Sequence, residues 1–532
     1  MQWQVRLPGP IDRELAELAV PVEERKFVWR PSAEAYRARV ETQPREWAPV
    51  PWLMRSWRQA APDPALRVQT RMIDELKTYP GVRQTLSAGT LTRYEKGELV
   101  PPLPVVSALE RIVGLVPGEI SSYLPARKQL QLSRQQQWDL LGRADAAAAI
   151  PLSGTDWLDL ATLICAGTPQ SPERVAFWAH MLVSEMSRSI GAGYRFRIRA
   201  LKMLAADPVV SGPVEDAIRD HLVACGHTVI GDALAALTEV RHPRGVTLAL
   251  ETYRQLDGSA LETAARVLAV DLHAERTRPE HWGALRDSLR EDFTSGAIDR
   301  RSAATIVASS LRPLQLYELL LPLSQKQGSW VRAGISNSRS RTLPVAEARA
   351  LRADCADLAL DVASGVTSRR SDGFGAWLER LLISGPDPFA AALVIASSPF
   401  GYALSHAIEQ PVTVASVLRR SARRRREFPF AAVALNSCRR RDPETLVAAY
   451  RSGTVSDKRR LLVPLAHHRA FPSDVDLAVA VRETDSASRV IYAAGMSAHP
   501  GLAALDPGVV PEALKRAATW WAGGTDARAL DC

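Results

Sequence analysis

Residues 86–120 read LSAGTLTRYEKGELVPPLPVVSALERIVGLVPGEI, and the spacing within this stretch decides the fold. Leu91 and Tyr94 stand three apart, so on a helix both turn toward one side. That leaves Ala88, Gly89, Thr92 and Arg93 pointing outward. Ser87 is placed to cap the helix start with its hydroxyl, and Gly97 to end it in the left-handed conformation. Pro101-Pro102 punctuates, and Val105, Val106, Leu109, Ile112 and Val113 then mark a second amphipathic helix that stops before Pro117-Gly118.

Working outward, residues 64–78 give another helix, with Ala65, Val68, Met72, Ile73 and Leu76 as its apolar stripe and Pro64 in its first turn. Tyr79-Pro80-Gly81 stops it. Several short helices within sixty residues make a compact unit over 61–125. Upstream, residues 1–60 are rich in proline and hold Trp3, Trp29, Trp47, Trp52 and Trp57, five of the thirteen tryptophans. Periodicity there is poor, so this stretch reads as an arm whose aromatics pack against the neighbouring module or a partner.

Ser87, Thr90, Leu91, Arg93, Tyr94, Glu95, Gly97 and Pro101-Pro102, followed by the helix 105–113 and Val116-Pro117-Gly118-Glu119-Ile120, together resemble the second half of a Cro/C1-type (XRE) helix-turn-helix domain. The likeness covers about 35 residues closely and about 60 in all. It implies that Ser87 meets a phosphate, while Ala88, Gly89, Thr90, Thr92 and Arg93 face DNA, with base edges read chiefly from 88, 89, 92 and 93. Arg93 is the side chain able to bind guanine bidentately, and Thr92 can touch a thymine methyl. The sequence departs from the family in two places. Ala88 and Gly89 offer no hydrogen-bonding side chain. The preceding stretch 77–84, KTYPGVRQ, carries a Pro-Gly that shortens or breaks a helix.

Beyond residue 130 the chain becomes a succession of apolar helical segments, among them 155–165, 174–189, 214–223, 230–237, 245–256 and 259–270, parted by Pro, Gly or Asp. β-branched alternation is nearly absent, so a sheet has no material. Residues 487–495 and 514–522 align at a spacing of 27, and LETAARVL at 261–268 has the same shape. Segments that cannot bury their own face must stack on neighbours. The fold class expected is all-α: an N-terminal helix-turn-helix domain, then a HEAT/armadillo-like α-solenoid or an irregular helical body. The helical-repeat regions are 130–324 and 346–532, interrupted by an exposed basic loop at 325–345 that carries Lys326, Arg332, Arg339 and Arg341.

The chain has 532 residues, 46% hydrophobic and 23% charged, which fits folded domains rather than disorder and exceeds one core. Five scattered cysteines without a CxxC pair, no leader and no long apolar run point to a reducing bacterial cytoplasm, without membrane or structural zinc. Net charge is +9, and nearly all of it falls in 419–441. There Arg419, Arg420, Arg423, Arg424, Arg425, Arg426, Arg439, Arg440 and Arg441 meet one acid, Glu427. With 59 arginines against eight lysines, arginine richness alone reflects genome composition, but the clustering suggests a phosphate-binding surface. His221, Cys225 and His227 lack a fourth ligand, and His467-His468 lacks a spaced partner. Gly191-Ala192-Gly193 follows no strand, and no hydrolase or P-loop motif occurs. No catalytic residue, cofactor or metal is expected.

The reading is therefore a DNA-binding transcriptional regulator whose repeat body senses or assembles something. Double-stranded DNA is the expected partner, with a protein partner on the body and a second copy of the chain as further candidates. A repeat scaffold without sequence-specific DNA binding is the alternative, and a HEAT-like DNA glycosylase the remote one.

Overall fold

The computed structural model describes residues 49–124, 132–168, 170–224, 231–237, 243–255, 258–273, 277–294, 297–325, 443–483, 487–505 and 510–524, together with 327–329, 331–332, 374, 377, 394–395 and 397–400. The fold is all-α, and no strand occurs among the described residues. The chain divides into two compact units: Met1–Pro125 with Thr342–Arg440, and Ala126–Arg341 with Arg441–Cys532. Both are discontinuous in sequence, which no local pattern announces. The expected boundary at 60/61 falls inside the first unit, and the single region expected over 346–532 is divided between the two units at 440/441. The nine clustered arginines, Lys326, Arg339, Arg341 and the arm before residue 49 lie outside the described residues.

The first unit begins with α1, Pro49–Gln59. Val50, Trp52, Leu53, Met54 and Trp57 are all buried, so this end of the expected arm belongs to the core. Its partners come from far along the chain. Trp52 lies 5.8 Å from Trp377 and 6.1 Å from Phe400 between ring centroids, and Trp57 Nε1 donates to the Ser397 carbonyl at 2.8 Å. Each aromatic buried this way contributes about 1.5–3 kcal/mol.

A 3-10 turn, Pro64–Arg67, follows, with Asp63 Oδ1 accepting from the Ala65 amide at 2.8 Å. The next helix, α2, is Gln69–Lys77, because Val68 between them is extended. The single helix expected over 64–78 is thus two elements. Met72, Ile73 and Leu76 point inward as expected, whereas Ala65 and Val68 are exposed. After α2 come α3, Ala88–Glu95, and α4, Leu103–Ile112, which buries Val105, Val106 and Leu109. Gly97, at φ +71, closes α3: the Glu98 amide donates to the Arg93 carbonyl and the Gly97 amide to that of Tyr94. This double closure satisfies carbonyls the helix end leaves open. Below α4, the buried Glu110 carboxylate accepts from the amides of Gly118, Ile120 and Ser121 and from the Ser121 hydroxyl. It ties down the turn that the proline-glycine pair opens.

The second unit opens with α5, Arg134–Asp145; α6, Gly154–Cys165; α7, Pro172–Arg188; and α8, Gly191–Ala206. It continues with α9, Ser211–Ala224; α10, Gly231–Ala236; α11, Pro243–Gln255; and α12, Gly258–His273. Then come α13, Pro279–Thr294; α14, Ile298–Ala308; and α15, Pro313–Leu320. Helices pack both on the next but one, as α6 on α8, α7 on α9 and α12 on α14, and on the next, as α11 on α12, α7 on α8 and α13 on α14. Stacked two-helix units produce this pattern, so the body is compatible with a solenoid. Close stacking needs small residues. A Cβ at Gly154 would come within 2.9 Å of Phe196 Cβ and 3.2 Å of the Gly193 carbonyl, so Gly154 lets α6 pack closely on α8.

The last helices are α16, Pro443–Ser452; α17, Val455–His467; α18, Leu477–Glu483; α19, Ala487–Met496; and α20, Glu512–Ala522. The two segments that align at a spacing of 27 are α19 and α20, and they pack on one another: a Cβ on Gly495 would fall inside the Trp521 ring. In turn α20 returns to the early part of the unit. It packs against α9, and the Arg188 guanidinium lies over the Trp520 ring at 3.6 Å while donating to the Trp520 carbonyl at 2.7 Å. No described helix is long and apolar enough to cross a membrane.

Candidate nucleic-acid interface

The geometry of α3 is set from beneath by a buried ion pair. Arg58, on α1, reaches Glu95 in the last turn of α3 through two hydrogen bonds, Nε to Oε1 at 2.5 Å and Nη2 to Oε2 at 2.9 Å. Both side chains are almost wholly excluded from solvent. A third donor of Arg58 reaches the Arg67 carbonyl. Two-pronged guanidinium–carboxylate contacts fix direction as well as distance. The pair therefore sets the rotation of α3 against α1. Leu91, only 1% exposed, supplies the apolar half of that attachment.

The inner face of α3 is thus Leu91 and Glu95, four apart, and Tyr94 is only half-buried. Burial raises the Tyr94 hydroxyl above the usual phenol value, while the charges of Arg83 and Arg93 oppose the rise. The expected Leu91–Tyr94 face is corrected by one position, because Arg58 stands ready to receive a carboxylate at 95. Nothing in the sequence announces this. The partners are 37 residues apart, and one lies in a stretch read as an arm.

Around the start of α3 the expected cap is present: Ser87 Oγ accepts from the Thr90 amide at 3.2 Å and lies 3.0 Å from Thr90 Oγ1. Ser87 and Gly89 are exposed, and Thr90 is half-exposed. Arg93 is open to solvent, its side chain 55% exposed, with Glu98 at 3.6 Å. Two candidates are placed differently. Ala88 is partly buried against the core. Thr92 is half-buried, and its hydroxyl is held by Gln69, the first residue of α2, at 3.1 Å from Nε2. Gln69 also reaches Glu95 Oε2 at 3.3 Å.

Leading into α3, residues 78–87 form no helix. Pro80-Gly81 lies in the connection between α2 and α3, so the pair interrupts no helix of the two. This connection of ten residues is longer than the three or four that usually join such helices. Arg332 donates to the Gly328 carbonyl at 3.3 Å and is the one described cation of the four in the stretch expected as an exposed loop. The described residues there, 325, 327–329 and 331–332, are helical and Val331 is buried, which corrects that reading. In the second unit, His221 Nε2 lies 2.9 Å from Ser187 Oγ and its ring packs edge-on against Trp520. Cys225 and His227 lie outside the described residues. No protein-family model, curated protein or solved structure matches the chain.

Proposed function

We propose that the chain is a DNA-binding regulator of transcription in which α2 and α3 act as a helix-turn-helix. One observation carries the reading: α3 is locked from below by Arg58–Glu95 and Leu91, while Ser87, Gly89 and Arg93 at its outer face stay open to solvent. A helix held that firmly presents its outer side chains in fixed positions, which base readout requires. Gly89 allows close approach of backbone to a groove, Thr90 and Ser87 offer hydroxyls, and Arg93 offers a planar pair of donors. Thr92 acts as a support for the face, through Gln69, more than as a base contact. The clustered arginines of 419–441 would add phosphate contacts.

The test is selection from a random-sequence duplex pool by the full chain. Enrichment of one recurring motif supports the regulator; failure to retain any duplex at low salt overturns it. A second reading, a helical-repeat scaffold, is favoured by Leu314, Tyr317 and Leu321 on and just after α15, all more than 60% exposed. Apolar residues so placed suit a protein partner.

A further inference from the structure

The connection between α2 and α3 is built as two successive turns pinned at three points. In the first, the Val82 amide donates to the Tyr79 carbonyl at 3.3 Å, with Pro80 and Gly81 at the corners. Gly81 has φ +81, the value that the third residue of a type II turn requires and that favours glycine. In the second turn the Leu86 amide donates to the Arg83 carbonyl at 3.0 Å, putting Gln84 and Thr85 at the tip. Val82 and Leu86 are buried on either side of that tip. Gly81 packs close to Pro104 of α4, where a Cβ would come within 3.2 Å, and Gln84 Nε2 donates to the Lys77 carbonyl at 3.0 Å. Three exposed residues, Arg83, Gln84 and Thr85, are therefore held out on an anchored frame directly before α3.

We infer that this double turn is a DNA-backbone contact in its own right, with Arg83 binding a phosphate beside the base pairs that α3 reads. The inference rests on the regulator reading. In two-helix DNA readers the leading helix crosses the sugar-phosphate backbone and the following one enters the major groove. A segment joining them runs past the groove edge, where phosphates lie. The ten residues folded into two turns hold Arg83, Gln84 and Thr85 out toward solvent along that edge. Arg83 and Arg93 both act on the Tyr94 hydroxyl, so both cations stand near the same side chain of α3. Unlike Arg93, which has Glu98 beside it, Arg83 has no carboxylate partner among the described residues. A phosphate would neutralise it.

The experiment uses the full chain and two duplexes: one recovered by it from a random-sequence pool, and one of scrambled sequence. Affinity is measured from low to moderate salt. Each phosphate contact contributes about 0.9 to the slope of log affinity against log salt. Arg83→Ala should flatten that slope by about one unit on both duplexes and leave the preference between them unchanged, since phosphate contacts position and base contacts specify. Arg83→Lys should retain the slope. Arg93→Ala is the control, expected to erode the preference. An unchanged slope for Arg83→Ala, with Arg93→Ala eroding preference, overturns the inference and leaves the regulator standing. A preference lost with Arg83→Ala also overturns it, by making Arg83 a base reader. A parent chain that binds neither duplex overturns both.

Discussion

Among the described residues the first unit buries the pair Arg58–Glu95 and the second the pair Arg197–Glu185, and the two pairs serve different ends. In the second unit Arg197, completely buried, donates from Nε to Glu185 Oε2 at 3.1 Å and from Nη2 to the Leu152 carbonyl at 2.6 Å. Trp157 Nε1 donates to the same carboxylate oxygen at 2.6 Å, so α6, α7 and α8 meet at one point inside the stack. In the first unit the Arg58–Glu95 pair continues through Gln69 to Thr92, a half-exposed residue of α3. One network ends in the interior and holds helices together. The other runs from the interior to a surface and fixes what that surface presents. A buried ion pair is weak evidence for stability by itself, because desolvation offsets most of the attraction, but it directs geometry.

The strongest way to break the comparison is to remove one partner from each pair. Arg58→Ala leaves the Glu95 carboxylate uncompensated, and Glu185→Ala does the same to Arg197; each should cost about 3–5 kcal/mol in its own unit. Calorimetry must resolve two unfolding transitions, since two units need not melt together. The transitions should respond separately, and only Arg58→Ala should weaken binding to the selected duplex. Equal binding loss in both variants would erase the distinction.

Leu91→Ala comes next, at about 2–5 kcal/mol for lost burial plus the cavity left beneath α3. A variant that melts like the parent would show that α3 is not held by its apolar face. Arg93→Ala should cost about 1–3 kcal/mol on the selected duplex, with specificity relaxed at one base pair. Equal loss on scrambled DNA would make Arg93 a phosphate contact.

The smallest effect concerns pH and belongs to the second unit. Burial, helped by the charges of Arg188 and His180, pushes the His221 imidazole down to about 3. Between that value and the ordinary 6.5 the unfolded chain binds a proton at His221 and the folded chain does not. Stability is therefore fully present above about pH 6.5 and falls as the pH drops, by up to ~1.4 kcal/mol per pH unit from this group. His221→Gln should remove that slope from the second unit's unfolding, compared at pH 7 and pH 5. An unaltered slope would mean that His221 titrates alike in the folded and the unfolded chain.

Much of the helical order was legible because it is local. Ser87, Gly97, Pro101-Pro102 and the 105–113 stripe placed α3 and α4 nearly to the residue, since capping and periodicity act within one or two turns. The ends of α6, α7, α9, α11 and α12 were read within a few residues for the same reason. The break at Val68 was missed, because apolar spacing continues through it while Asp63 caps a separate turn.

The sequence by itself determined the all-α class, the stacking small residues and the outward position of Arg93, all consequences of spacing along one helix. Only the tertiary structure decided which segments share a core. Phe374, Trp377 and Phe400 join Trp52 across more than 300 residues, α20 turns back onto α9, and Glu95 goes inward because Arg58 is there to meet it. Those choices depend on matching surfaces brought together by the whole chain, and a carboxylate four residues from a leucine carries no sign of the guanidinium that will bury it.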